Sequence, residues 1–364
     1  MEMKRFMVVS GFLGAGKTTC MAALDDYVNS NSGKASVIVN DLGAKNLVDA
    51  KYSEACGCNI TELTGECICY QTENLVDRLR RLMDYEHNDL VMSDIPGCGV
   101  GALDHVYHKL DKEYHGEFEL APFTVIVDPE RLRIIMPEQA DINLPEEMKY
   151  LLRAQLQEAD VVALNKIDLL TGAEIEACLK FLKDFCPDAT VFAISAKNKT
   201  NIDKLADYIM THDAQLKEVD IGYGGPEFIA AEQKLSWYNR QLYVKICCGT
   251  FDGNAFLGDL VEAIRMKLLR KHRNVPHLKV FADGADGTIC KISLLGVDYD
   301  MQYDSRLAQP CADLPVIINA RAACESQLLA EIMDEALKET AKEYNLDTVV
   351  FFTECFGMMD EGRI

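Results

Sequence analysis

Eight residues near the start of the chain, Gly11-Phe-Leu-Gly14-Ala15-Gly16-Lys17-Thr18, have the spacing G-x-x-x-x-G-K-[ST]. Glycines at these positions let successive backbone N–H groups close around phosphate oxygens. The lysine reaches the β- and γ-oxygens, and the hydroxyl after it can ligate Mg2+. A helix starting near Gly16 adds the positive end of its dipole to the same anion. Gly14, Ala15, Gly16, Lys17, Thr18 and Thr19 are therefore the phosphate-binding candidates. Some fifty residues later, "ACGCNITELTGECICYQ" (55–71) places Cys56, Cys58, Cys67 and Cys69 within fourteen residues. Four thiolates so close together suit Zn2+ or an iron–sulfur cluster, provided a hairpin brings the two pairs into one site.

Three further groups read as parts of the same nucleotide site. Asn165-Lys166-Ile-Asp168 has the form of a guanine reader. The Asp168 carboxylate can accept hydrogen bonds from guanine's ring N–H and exocyclic amine together, a pair that adenine does not offer. Asn165 would bridge the base and the phosphate loop, and Lys166 would lie across the ring. Ser195-Ala196-Lys197 would point a backbone N–H at the guanine carbonyl. The predicted nucleotide is GTP. Asp94-Ile-Pro-Gly97 is a D-x-x-G, in which the Gly97 N–H senses a γ-phosphate and Asp94 helps to hold Mg2+. Lys17, Asp94 and Gly97 are the catalytic candidates, and Thr18, Asp41 and Asp94 those for Mg2+. Asp41 reads equally well as a turn or N-cap residue. Cys98 stands where Ras-like enzymes carry the glutamine that positions water. Hydrolysis is therefore expected to be slow alone, or to need a group from a partner or second subunit.

The elements that must position these residues are legible as apolar runs: 6–10, 36–40, 89–94, 123–128, 160–165 and 190–195. Runs of this kind suit strands buried on both faces of a parallel sheet. Nearly every run ends in a polar residue or a glycine turn, and ligands of open α/β sheets bind beyond the strands' carboxyl ends. The expected fold is α/β, a P-loop NTPase mostly parallel sheet wrapped by helices, over residues 1–219. A glycine-rich break, "DIGYGGPEF" (220–228), opens a linker at 220–236, and a smaller C-terminal α+β domain follows at 237–364.

Composition narrows the partners. The 364 residues are 49% hydrophobic and 26% charged, which is ordinary for a globular protein with a real core. A net charge of −21 argues against a nucleic acid partner, which requires clustered Lys and Arg. Neither a membrane span nor an export signal is read, so the expected location is cytoplasmic. Close cysteine pairs there are metal-binding or redox groups before they are disulfides. The isolated Cys20, Cys178, Cys186, Cys290, Cys311, Cys324 and Cys355 read as small hydrophobes. His105-x-x-His108 and Cys247-Cys248 read as structural.

The chain resembles the CobW-type GTPases, relatives of the nickel-insertion GTPases that serve urease and hydrogenase. The resemblance is carried by "GFLGAGKTT" (11–19), "VNDLG" (39–43), "ELTGECICY" (62–70), "AQLQEADVVALNKIDLL" (154–170) and "ISAK" (194–197). It implies a metallochaperone whose G-C-x-C-C thiolates bind metal with an affinity that responds to nucleotide. Cys67 and Cys69 match two of those cysteines, but Tyr70 occupies the third position and the family's C-terminal His-rich run is absent. An apparent helix after Cys69 is expected to lower the neighbouring thiol pKa.

The reading is a Mg2+-dependent GTPase that loads or guards a metal centre or metallocofactor on a client metalloenzyme or corrinoid protein, with Zn2+ as one candidate metal. One alternative is a protein-only reactivation factor for a corrinoid enzyme that binds no metal. Another is a redox-controlled regulatory GTPase whose C-x-C pairs form a reversible disulfide. A GTP-dependent homodimer is expected by analogy alone.

Overall fold

The computed structural model describes residues 4–41, 51, 53–54, 57–64, 67–95, 99–136, 146–233 and 235–357. The chain divides into two compact units, Met1–Phe228 and Ile229–Ile364.

In the first unit the chain runs β1 (Arg5–Ser10), α1 (Lys17–Ser30), β2 (Ala35–Asp41), β3 (Ile60–Thr64), α2 (Thr72–Arg80) and β4 (Leu90–Asp94). Next comes α3, π-helical over Leu103–His108 and α-helical over Lys109–Glu113. β5 (Glu119–Leu120), β6 (Thr124–Val127), α4 (Pro129–Arg133), α5 (Glu146–Glu158), β7 (Val161–Leu164), α6 (Gly172–Phe185), β8 (Thr190–Ala193) and α7 (Ile202–Thr211) follow. All six apolar runs form strands, parallel in the order β3-β2-β4-β1-β6-β7-β8, with β5 added beside the start of β1. β1, β4, β6 and β7 are buried along their whole length, as helices on both faces require. The expected α/β fold is found.

β3 and β5 were not expected. β3, "ITELT", carries only two apolar residues, separated by two polar ones, and is only partly buried, because it lies at the sheet's edge. It nevertheless pairs with β2 over five residues, from Val37–Ile60 to Asp41–Thr64.

The second unit is α+β. Its antiparallel sheet has the order β12-β11-β10-β13-β9-β14. α8 (Pro226–Gln233) leads in, followed by β9 (Ser236–Ile246), α9 (Gly253–Arg270), β10 (His277–Asp283), β11 (Ile289–Leu294), β12 (Gln302–Ser305), β13 (Asp313–Ala322), α10 (Ser326–Glu343) and β14 (Leu346–Gly357). Phe256, Leu260 and Ile264 of α9 and Leu329, Met333 and Ala336 of α10 share one core with Tyr238, Leu242, Val280, Ile292 and Ile318 of the strands. Among the described residues no helix is long and apolar enough to cross a membrane.

One contact in the first unit sets where α3 begins. Glu158, the last residue of α5 and almost fully buried, accepts the backbone N–H of Gly101 at 2.8 Å and that of Leu103 at 3.3 Å. Gln155, one turn earlier, donates to the Gly99 carbonyl at 3.1 Å. The segment leaving β4 is thus anchored by two side chains of α5. Burial raises the Glu158 carboxyl from 4.5 to about 7, opposed by the two N–H donors. Between those values the folded protein keeps a proton that the unfolded chain has released, so stability falls as pH rises through the window. Glu158→Gln is expected to flatten that part of the stability profile, followed by urea denaturation in small pH steps; an unchanged slope would refute the assignment.

Candidate nucleotide site and the cysteine segment

The loop between β1 and α1 is shaped by glycines that no other residue can replace without strain. Gly16 has φ +97°, and a Cβ there would lie 2.3 Å from the Asn165 amide nitrogen. Gly11 has φ +138°, and its Cβ would lie 2.1 Å from the Ile126 carbonyl oxygen of β6. α1 starts at Lys17 with no side-chain cap and no acidic residue in its first turn, which leaves its N-terminal amides for an anion. Lys17 Nζ donates to the Gly11 carbonyl at 2.6 Å, lying across the loop. Thr18 is buried on the first helical turn and Thr19 follows it.

Beneath the loop lies a support that the sequence reading missed. Arg131 of α4 is buried, stacks on Phe12 at 5.5 Å and donates from Nε to the Leu13 carbonyl at 3.2 Å. Asp128 N-caps α4 by accepting the Arg131 N–H at 3.0 Å, and its other oxygen lies 3.6 Å from Lys166 Nζ. The pair Asp128-Pro129 at a strand end is a legible helix start. No local pattern announces that the arginine turns inward.

At the base end, Asn165 is buried and uses both ends of its amide. Nδ2 donates to the Ala15 carbonyl at 2.9 Å, and Oδ1 accepts the Ala196 N–H at 2.9 Å. The phosphate loop and the Ser195–Lys197 turn are thereby fixed to one residue. Lys166 adopts a left-handed conformation, φ 61°, which starts the single turn Ile167–Leu169. Asp168 is exposed, and one carboxylate oxygen accepts the Ser195 hydroxyl at 2.5 Å. Lys197 is exposed. All three expected groups therefore gather at the carboxyl edge of the sheet. Gly97, Cys98, Cys56 and the Asp41 side chain lie outside the described residues.

A hydrogen-bonded relay joins the D-x-x-G aspartate to the cysteines. Buried Asp94 accepts the Asn40 N–H at 2.9 Å. The Asn40 side chain donates to the Leu63 carbonyl of β3 at 3.1 Å and accepts the Ile68 N–H at 2.9 Å. Ile68 sits between Cys67 and Cys69, whose sulfurs are 3.2 Å apart in a turn closed by Tyr70 N–H to Cys67 carbonyl.

Two expectations about the thiols are corrected. Cys58 does not join Cys67 and Cys69. It precedes β3, whose five residues span about 17 Å, and its buried thiol bonds Asp25 of α1 at the opposite edge of the sheet. The helix after Cys69 does not decide its pKa: the hydrogen bond with Cys67, burial and the negative charges of Cys67 and Glu158 outweigh a lowering backbone hydrogen bond and push the Cys69 thiol well above its usual range. Tyr70, at the third-cysteine position, instead hydrogen-bonds Tyr223, and the His105 ring packs 4.4 Å from Tyr223 and 6.3 Å from Tyr70. Of the isolated cysteines, Cys20, Cys178, Cys186 and Cys290 are buried as expected, while Cys311, Cys324 and Cys355 are half-buried. Cys247 and Cys248 are exposed beyond the end of β9.

A sequence profile described as "CobW/HypB/UreG, nucleotide-binding domain" matches residues 5–193, more than half of the chain. The chain belongs to the CobW/HypB/UreG family. Curated relatives include the zinc chaperone CobW of Sinorhizobium sp, 24% identical over 189 residues, covering 47% of this chain and 52% of the relative. The zinc chaperone YeiR of Escherichia coli is 28% identical over 177 residues, covering 48% and 50% respectively. The chain thus spans about half the length of these two relatives. Among solved structures, the Zn(II)-bound YjiA GTPase from E. coli aligns over 93% of this chain and 99% of its own, with 16% identity and a TM-score of 0.36.

Because Gly16 has a positive φ and a Cβ there would strike the Asn165 amide, Gly16→Ala is expected to separate the loop from its brace. Nucleotide affinity, measured with a fluorescent guanine nucleotide, should fall by roughly tenfold or more with the fold intact by circular dichroism. Unchanged affinity would show that the brace does not govern binding.

Proposed function

We propose that the chain is a Mg2+-dependent GTPase that acts as a metal or metallocofactor chaperone for a client metalloenzyme, with the nucleotide state read out at the cysteine segment. The observation that carries this reading is the relay Asp94–Asn40–Ile68. Asp94 and Gly97 are the residues that would sense Mg2+ and the γ-phosphate, so any shift of Asp94 is passed by Asn40 to the backbone between Cys67 and Cys69. The binding steps belong to the chain's own residues. The amides of Gly14 to Thr19 and the Lys17 ammonium hold the phosphates. Thr18, Asp41 and Asp94 hold Mg2+, which when bound neutralises phosphate charge. Asn165, Lys166, Asp168 and the Ser195–Lys197 turn select guanine. No glutamine follows Gly97, so turnover alone is slow, as suits a timer.

The fit of the site to a guanine nucleotide has a direct test. Asp168→Asn replaces an acceptor pair by an amide that donates where guanine also donates. GTP affinity is expected to fall roughly 100-fold or more, with xanthosine triphosphate gaining relative to GTP. Retained GTP preference in the variant would remove Asp168 from base recognition.

A second reading is favoured by two observations. Cys58 bonds Asp25 of α1, and Tyr70 takes the third-cysteine position, which leaves two thiols together among the described residues where a closed thiolate site needs three or four ligands. On this reading GTP opens a client, such as a corrinoid enzyme, with no metal bound at the cysteines. Metal content per chain after anaerobic purification separates the two. With GDP and with a non-hydrolysable GTP analogue, the metallochaperone predicts about one thiophilic metal per chain, altered by nucleotide and lost in a Cys67→Ser/Cys69→Ser variant. Asn40→Ala should retain the metal and lose the nucleotide effect. Metal-free protein with intact hydrolysis supports the client-opening reading instead.

A further inference from the structure

We propose that Asp104, His108 and Glu218 form a second divalent-metal site, separate from the cysteine segment, that takes a borderline cation of the Zn2+ type. The argument begins with the winding of α3. Histidines three apart in an α-helix share a face, and on that spacing His105 and His108 would act together. Leu103–His108 is π-helical, which places more residues in each turn. The two rings accordingly part: His105 packs on Tyr223 and Tyr70, while His108 Nε2 faces Asp104 Oδ1 at 3.8 Å and the Lys217 carbonyl at 3.3 Å. Glu218 completes the group from a distant part of the chain. One ligand atom from each of Asp104, His108 and Glu218 lies within 4.8 Å of the others.

The spacing fits a metal. Four ligands held tetrahedrally at about 2.0–2.1 Å from Zn2+ lie roughly 3.3–3.4 Å from one another. The separations of 3.3 Å and 3.8 Å at Nε2 are near that, and Glu218, within 4.8 Å, would move in to meet it. The chemistry points the same way. Every neighbour of Nε2 named above is an oxygen acceptor, so the nitrogen requires a proton or a metal ion between it and them. Among the described residues, no lysine or arginine pairs with Asp104 or Glu218, and the ammonium of Lys217 is turned away to the Ala159 carbonyl at 2.7 Å. One imidazole nitrogen, two carboxylates and a carbonyl, half-exposed and open to water, match Zn2+, Co2+ or Ni2+. They match neither the all-oxygen preference of Mg2+ nor a thiolate metal. A bound ion would clasp α3, whose start is held by Glu158, to the segment around residue 218. This assignment stands independently of the function proposed above.

The competing explanation of the same geometry is an Nε2–H that donates to these oxygens with no metal between them, and cobalt titration separates the two. The full chain carrying Cys67→Ser and Cys69→Ser is titrated with Co2+ alone, then with Zn2+. One equivalent of Co2+ is expected, with visible ligand-field bands, without thiolate charge-transfer absorption, and displaced by Zn2+. His108→Ala in that background should weaken binding roughly tenfold or more. So should the near-isosteric Asp104→Asn/Glu218→Gln, which keeps the fold if the alanine variant does not. Absence of Co2+ binding, or binding that neither variant weakens, would overturn the site.

Discussion

Asn40 is a buried residue whose backbone N–H and both amide ends are already committed, to Asp94, Leu63 and Ile68. Breaking any one of these bonds would leave a buried polar group unmet, at a cost of about 1–3 kcal/mol. β2, β3, β4 and the turn holding the cysteines are therefore obliged to move together or not at all. A coupling of this kind ties the buried aspartate at the end of β4 to the thiol pair, although they lie 25 residues or more apart in the chain.

Asn165 performs the corresponding task at the other end of the site. Its amide joins the phosphate loop to the turn after β8, so that the groups that would read a base and those that would hold phosphates keep one spacing. Arg131 braces the loop through the Leu13 carbonyl, and Asp128 holds the start of that arginine's helix while its other oxygen faces Lys166. Both asparagines end parallel strands. They meet their partners because a parallel sheet delivers every carboxyl end to the same edge.

The cysteine turn is less open than its composition suggests. Cys69 is buried and protonated beside Cys67, and the nearby exposed group is Tyr70, tied to Tyr223. A metal arriving at the sulfurs would have to displace a proton from a thiol held neutral by its hydrogen bond with Cys67 and by burial. Binding there would gain from any movement of the turn that lets water or charge approach. The hydrogen bonds of Asn40 join that turn to Asp94.

The glycine loop, the strand-end positions of the Asn165–Asp168 and Ser195–Lys197 turns and the six apolar strands were legible from local chemistry alone, whereas the order in which the strands lie side by side was not. Glycines at positive φ, a lysine before a hydroxyl and unbroken apolar runs each state their role within a few residues. β3 was not legible, because a half-exposed edge strand such as "ITELT" carries no continuous apolar signal. That one strand decides the fate of the cysteines: it carries Cys58 to one edge of the sheet and Cys67 with Cys69 to the other. The inward turn of Arg131, the neutral thiol of Cys69 and the divergence of His105 from His108 were likewise settled only in three dimensions. Burial, charge and helical winding are properties of what surrounds a residue, and neighbours brought from distant parts of the chain are invisible to a pattern read along it.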